Sequence, residues 1–280
     1  MKGKGASSYL KAAKELRKYL KDHPTDIIHA HFALCGFVSW LAHRQEKLVI
    51  SFMGSDVLGI NSSDGQFTWA GKIYAWFNRT FHRLTFDYII VKSEEMKKDL
   101  RYSEVLVIPN GVNDDQFFPM DRKSAQHILN WNPNKLNILF PSDPERKEKN
   151  FALLEEALNK CFNFDFEVHI LKEISFSELN FYYNAADLVC LTSNREGSPN
   201  AIKEAMACNK IIVSTKVGDV PWLFEGVEGL FLAEKDSDSI ARAISIAISF
   251  GRENQMTSKG RDQIGRLGIT SRQIANQLIG

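Results

Sequence analysis

No run of this sequence is both long and apolar enough to cross a bilayer. The longest apolar stretch, Ala33 to Ala42, is interrupted by Ser39 and falls well short of the ~20 residues that a spanning helix needs. The opening MKGKGASSYLKAAK has charge but lacks the apolar core of a secretory signal. Cysteine is scarce: the four, Cys35, Cys161, Cys190 and Cys208, form no CxxC pair. That pattern argues against a disulfide frame and a structural zinc site, and for a reducing compartment, the cytoplasm. Excess charge is absent as well. The 35 Lys and Arg against 34 Asp and Glu give a net charge of +1, which leaves no general argument for a polyanion partner, and no nucleic acid is expected. No internal repeat or low-complexity segment is found.

The 280 residues are 44% hydrophobic and 25% charged, a composition that builds a packed core and suits two domains or one large one. Charge is nevertheless clustered at one place. Residues 1–21 carry seven Lys or Arg against Glu15 alone, and Leu10, Ala13, Leu16 and Leu20 recur at helical spacing. This predicts a basic amphipathic helix, read first as a solvated surface helix and alternatively as one that docks on an anionic membrane surface. A second segment, Lys72–Leu84, interleaves Arg79 and Arg83 with Trp76, Phe77 and Phe81. Its apolar spacing, Ile73, Trp76–Phe77, Phe81 and Leu84, predicts a helix facing the core. The alternative is that its basic face meets a lipid-linked molecule.

Short apolar runs alternate with helix-period segments along the chain. The strand candidates are Asp26–His31, Leu48–Phe52, Tyr88–Lys92, Val105–Pro109, Leu136–Pro141, Phe166–Leu171, Leu188–Thr192, Ile211–Thr215 and Gly229–Leu232. They are rich in Ile, Val, Leu and Phe and are bounded by turn formers. Helical patterns such as Phe151–Cys161 and Ala201–Cys208 lie between them. Continuous apolar strands joined by helical crossovers predict an α/β fold with parallel sheets. The polar, Pro-containing NDDQFFPMDRK and the NWNPNK beyond it suggest a division. The expected layout is two Rossmann-like domains facing each other across a cleft: residues 1–118, a linker over 119–134, and residues 135–280. In open parallel sheets ligands bind outside the carboxyl ends of the strands, so the loops there are where chemistry is expected.

The richest stretch is LVCLTSNREGSPNAIKEAMACNKIIVSTKVGDV, from Leu188 to Val220. A buried strand leads to a polar loop, then Glu196-Gly-Ser-Pro-Asn, then a helix carrying Glu204. Pro199 suits a first helical turn, where its missing N–H costs nothing. Gly197 and Ser198 leave backbone N–H groups for an anion at the helix start. Glu204, about one turn further in, is placed to accept hydrogen bonds from sugar hydroxyls. Phosphate at the amides and a diol at the carboxylate together describe a nucleotide sugar.

Glu196 and Glu204, with seven residues between them, resemble the Glu-x7-Glu signature of the group 1 (family 4) retaining glycosyltransferases of the GT-B fold. EGSPNAIKEAMA and STKVGDVP are close to that family's wording, and the likeness extends to DIIHAHF, SFMGSD, IPNGVNDDQFFP and ILFPSDPERKEKNF. The sequence is similar to enzymes that build bacterial surface polysaccharides such as capsule and lipopolysaccharide. The resemblance implies that Glu204 holds the ribose of the donor. It also implies that Glu196, with the amides of Gly197, Ser198 and Asn200 around Pro199, holds the transferred sugar and distal phosphate. Lys149 would meet the diphosphate. Where the family has an Arg just after the strand, this chain has Ser142-Asp143-Pro144, and Arg146 would act from another backbone position. Fixed cations of this kind stabilise a departing diphosphate without a metal. No cofactor is expected beyond the nucleotide-diphosphate sugar itself, and the acceptor would be a glycan or a lipid-linked molecule at the inner face of the membrane.

On the acceptor side, Met53 stands where the family often has a His, Gly54 permits close approach of a substrate, Asp56 is a candidate for a hydroxyl, and His31 at a strand end is a further candidate. The loop Lys172–Ser175 is where the resemblance puts the nucleotide base. Asp236-Ser237-Asp238 opens a helical run and is read as an N-cap rather than a cation site. The family's usual opening strand and Gly-rich loop, and its closing helix, have no counterpart in this sequence, so a chain clipped at both ends is expected. Two alternatives accompany this reading. One is a nucleotide-sugar binder without turnover. The other is a metal-dependent hydrolase, suggested by His29 and His31 two apart on a strand.

Overall fold

The computed structural model describes residues 6–58, 69–100, 102, 104–161 and 165–279. Nine strands are found among them: β1 (Ile27–His31), β2 (Lys47–Ser51), β3 (Tyr88–Val91), β4 (Leu106–Val107), β5 (Leu136–Phe140), β6 (Phe166–Ile170), β7 (Leu188–Leu191), β8 (Ile211–Thr215) and β9 (Leu230–Ala233). Each lies where an apolar run predicts it. β4 is shorter than Val105–Pro109 because Pro109 has no N–H with which to extend the ladder, which ends at Ile108 N donating to Val91 O (2.9 Å). All strand pairs are parallel. One sheet has the order β1-β2-β3-β4, the other β6-β5-β7-β8-β9, so the chain is α/β with helical crossovers. No helix among the described residues is long and apolar enough to cross a membrane.

The chain divides into two compact units between Ile108 and Pro109, earlier than the expected linker over 119–134. That segment is not a loose tether. The Asp121 carboxylate accepts from Ser124 N (2.8 Å) and caps the helix Arg122–Leu129. Met120 N donates to Asn184 Oδ1 (2.7 Å), Gln126 Nε2 to Ala185 O (3.0 Å), and Arg122 pairs with the buried Asp187. Side-chain bonds of this kind do not register in a reading of polarity and proline alone.

In the second unit, Ile138, Phe140, Leu188, Cys190, Ile211 and Val213 form one buried sheet face. Leu154 and Ala157 of helix Phe151–Leu158 and Ile240, Ile244 and Ile248 of helix Ser237–Glu253 pack on it. Asp236 accepts from Ser239 N (2.7 Å) and caps the latter helix, the role read for it from sequence.

In the first unit, Ala30, Leu48, Ile50, Ile89 and Val91 share a buried face with Val57, Phe86 and Met96. Strand residues alternate between faces, and Ile27, Tyr88 and Leu106 on the other face are more than half exposed. The helix Trp69–Thr85 corrects the expected core-facing stripe. Its inward residues are Ala75, Asn78 and His82, while Trp76 and Leu84 are 65% and 79% exposed. Polar side chains bond inward and set this orientation: Asn78 Nδ2 donates to Asp56 O (3.0 Å), and Arg79 donates to Val57 O and Asp99 O. A periodicity that counts only apolar residues misses such a face.

His82 is enclosed by the rings of Phe52, Phe81 and Phe86 and by Gly36, where a Cβ would lie 2.7 Å from His82 Cε1. Burial lowers its pKa from 6.5 to about 4. The folded chain therefore refuses a proton that the unfolded chain accepts below the ordinary value, and stability falls as pH drops through that interval. The full interval corresponds to about 3 kcal/mol. His82→Leu should flatten this part of the pH dependence in urea titrations at neutral and mildly acidic pH. An unchanged slope would refute the assignment.

Candidate active site

The strand order of the second sheet reverses between β5 and β7, and the crevice outside the carboxyl ends at such a point is where open α/β sheets bind ligands. The loops leaving these two strands are tied together. Thr192 Oγ1 donates to the carbonyls of Lys149 (3.2 Å) and Asn150 (2.9 Å), and Asn194 N donates to Glu148 O (2.9 Å). Between them Lys149 Nζ donates to Glu196 Oε1 at 2.5 Å, and Ser193 Oγ donates to the same oxygen at 2.7 Å. The side chains of this pair are only 12% and 15% exposed. The structure thus brings together two residues that lie 47 positions apart in the chain.

The loop after β8 closes on the same place. Gly218 has φ +55°, and a Cβ on it would lie 2.5 Å from Gly197 O. Only glycine combines that left-handed backbone with so close an approach. Asp219 lies in the same loop, and its Oδ2 accepts from Ser198 Oγ (2.7 Å) and lies 2.9 Å from Lys203 Nζ. Lys203 also donates to the Ser198 hydroxyl, and Asn110 N reaches that hydroxyl from the start of this unit (3.2 Å). Lys203 and Asp219 are both almost fully buried. Burial lowers the Lys203 pKa and raises that of Asp219, each opposed by the other's charge. Asp219 Oδ1 has no hydrogen-bond partner.

The helix Asn200–Ala207 starts directly after this cluster, with Pro199 in extended backbone (φ −70°, ψ 115°) at its cap. Asn200 is exposed, and its Oδ1 accepts from Asn110 Nδ2 (3.0 Å). Glu204 is on this helix and accepts from the Tyr183 hydroxyl at 2.6 Å. Burial raises the Glu204 pKa against the lowering effect of that bond, and burial holds the Tyr183 phenol well above its ordinary value. Gly218, Asp219, Lys203, Ser193 and Tyr183 were not legible as site residues. The VGDV wording and the Lys next to Glu204 were the available signals for three of them.

The remaining candidates are placed differently. Arg146 is more than half exposed and turned onto Glu148 (2.7 Å). Lys172, at the loop read as the base site, pairs with Glu145 (2.7 Å) and Asp143 (3.5 Å). In the first unit Asp56 is no hydroxyl ligand. It is fully buried and accepts from Ala33 N (3.1 Å), Met53 N (3.0 Å) and Gly54 N (2.9 Å), so it organises the turn after β2. Burial raises its pKa, and these backbone bonds lower it. Gly54 has φ +133° in that turn. His31 is exposed at the end of β1 and stacks on His29 (centroids 4.4 Å apart), whose Nε2 lies 2.8 Å from Ser51 Oγ. Burial and Lys92 lower the pKa of His31. Among the described residues no three His, Cys, Asp or Glu side chains gather as metal ligands, so the HxH pair acquires no hydrolase-type ligand set.

Two parallel α/β units, one with a largely shielded Lys–Glu pair at its switch point, define an α/β protein with a candidate ligand site at the carboxyl ends of its strands. Residues 2–116 match the family described as Glycosyltransferase Family 4, and residues 137–249 match Glycosyl transferases group 1. The chain belongs to the group 1 glycosyltransferases of the GT-B fold. It is 27% identical over 253 residues to an uncharacterized glycosyltransferase of Methanocaldococcus jannaschii, spanning 84% of this chain and 69% of that protein. The fold is similar to that of sucrose-phosphate synthase from Thermosynechococcus elongatus, at TM-score 0.77 and 19% identity over 97% of this chain and 76% of that one. It is also similar to Anabaena Alr3699/HepE solved with UDP and glucose, at TM-score 0.75 and 18% identity over 98% and 80%.

Proposed function

We propose that this glycosyltransferase moves a sugar from a nucleotide diphosphate to a glycan or lipid-linked acceptor, with retention of configuration and without a metal, in the synthesis of a cell-surface polysaccharide on the cytoplasmic side. The carrying observation is the Lys149–Glu196 pair at the switch point, with Glu204 on the helix that follows. Structural relatives lend the donor and acceptor classes: Anabaena Alr3699/HepE was solved with UDP-glucose, and Staphylococcus aureus TarM with UDP and alpha-GlcNAc-glycerol.

Charge dictates the roles. Before the donor arrives, Lys149 and Glu196 neutralise one another in a half-closed site. As the glycosidic bond breaks, negative charge grows on the diphosphate, and a fixed ammonium there is worth more than it would be in water. Transfer of Lys149 to the phosphate frees Glu196 to accept hydrogen bonds from sugar hydroxyls. With its carboxylate occupied by Ser193 and the sugar hydroxyls, Glu196 is a poor nucleophile, which favours same-face attack with a diphosphate oxygen taking the acceptor's proton. Lys149 and the amides at the Asn200–Ala207 helix start would supply the charge that a divalent cation supplies in other transferases.

Glu204→Ala tests the ribose role. Loss of a charged hydrogen-bonding partner costs ~1.5–3 kcal/mol, on the order of ten- to a hundredfold in affinity. Calorimetry should show nucleoside diphosphate and monophosphate weakened alike, since both carry the ribose, and the wild-type titration should survive excess chelator. Unchanged affinity in the variant would remove the ribose assignment, and a strict magnesium or manganese requirement would remove the metal-free one.

A further inference from the structure

We propose that His29, His31, Ser51 and Lys92 of the first unit form an anion-binding subsite, which holds a phosphate group carried by the acceptor. The identity of that ligand rests on the transferase reading, to which the subsite adds a charged acceptor. His31 pairs with Ser51 across β1 and β2, and Ser51 pairs with Ile90 across β2 and β3. Neighbouring strands lie ~4.8 Å apart, so the three carboxyl ends stand side by side. Lys92 follows β3 directly. His29 and His31 share one face of β1. Their rings stack with centroids 4.4 Å apart, and His29 Nε2 lies 2.8 Å from Ser51 Oγ. One end of the sheet thus gathers a lysine, two imidazoles and a hydroxyl.

Charge selects the ligand. Burial, then His31 and Lys92, lower the pKa of His29, and burial with Lys92 lowers that of His31. Lys92 is itself only 6% exposed, and charges so shielded from water are weakly screened. A cation within reach of both rings repels a divalent metal, which turns the HxH pair away from metal ligation. An anion among the same groups relieves the repulsion instead. Asp56, in the turn after β2, does not fill that role. Its carboxylate is buried and accepts from Ala33 N, Met53 N and Gly54 N. The helix Ala33–Ala42 begins two residues after His31, carries no charged side chain and brings the positive end of its dipole to the same place. Lysine, hydroxyl and imidazole donors arriving from three strands suit the tetrahedral oxygens of a phosphate. A planar carboxylate is better met by the paired donors of an arginine.

Imidazole signals in nuclear magnetic resonance of the full chain test the subsite, with uridine diphosphate in excess to occupy the second unit. Glycerol phosphate should shift the ring signals of His29 and His31 saturably, and glycerol should not. His127 and His169, in the second unit, should stay in place. Diethyl phosphate separates the sources of the phosphate: affinity equal to that of glycerol phosphate points to a phosphodiester acceptor, and weaker affinity to a phosphomonoester. His31→Ala, at an exposed position, should weaken glycerol phosphate about fivefold, and Lys92→Gln on the order of tenfold or more. Lys92 is buried, so the signal of the enclosed His82 reports whether that variant folds. His29 and His31 rings unmoved by both phosphates, or undiminished affinity in either folded variant, would overturn the proposal. Calorimetry with uridine diphosphate tests the transferase reading separately, and its result does not depend on the histidine shifts.

Discussion

Lys149→Ala should lower kcat by on the order of a hundred- to a thousandfold, comparable to loss of one preorganised donor from an oxyanion site. Lys149 Nζ is held 2.5 Å from Glu196 in a site where both side chains are largely shielded from water, and its proposed work is done as the leaving diphosphate gains charge. The variant loses that stabilisation and leaves Glu196, still bonded to Ser193, as an uncompensated anion beside the phosphates. Donor affinity should therefore fall as well. The fold should survive, because the loops on either side of the pair are tied independently by Thr192 and Asn194. Steady-state transfer assays separate the effects. A rise in KM with kcat intact would mean that Lys149 binds ground state and transition state equally, and the proposed role would fail.

Lys203→Met should destabilise the second unit by about 3–5 kcal/mol, the usual result of removing one member of a buried ion pair. The variant strands Asp219, whose Oδ1 already lacks a partner, and releases the Ser198 hydroxyl that both residues hold. Exposed pairs contribute far less; Lys11–Glu15 is one, with both side chains more than two-thirds exposed. Adding Asp219→Leu should recover much of the loss, since apolar replacement of a whole buried pair is often neutral. Urea denaturation of the single and double variants makes the comparison. A single variant as stable as wild type would show that the buried charges contribute no net stability. The single variant should also bind donor more weakly, because Ser198 lies two residues before the helix that carries Glu204.

The parts of this molecule legible from sequence are those set by apolar pattern and by short motifs. All nine strands lie in apolar runs; Ile211–Thr215 is buried on both faces, and a buried parallel strand leaves just that signature. Lys149 and Glu196 were each legible as donor candidates through the family resemblance, but their pairing with one another was not. What escaped was set by polar groups bonding inward. Asp56 has the composition of a ligand but serves three backbone N–H groups. Asn78 and Arg79 turn their helix against its own apolar count. Lys203 and Asp219, 16 residues apart, reveal their pairing only once the helix and the loop after β8 are folded against one another. Each outcome depends on a partner distant in the chain, which a local reading cannot supply.

The strand order also separates two kinds of evolutionary freedom. β5 and β7, which deliver Lys149 and Glu196, are neighbours in the sheet although β6 and its crossover intervene in the chain. β6 stands at the sheet edge, and its following loop at Lys172 is joined to Asp143 and Glu145 by partly exposed ion pairs, which are individually weak. Residues from β6 to the helix Leu179–Ala185 can thus drift, lengthen or be exchanged with little disturbance to the charge pair. If that loop meets the base, as the family resemblance implies, donor preference can diversify while the transfer chemistry stays fixed.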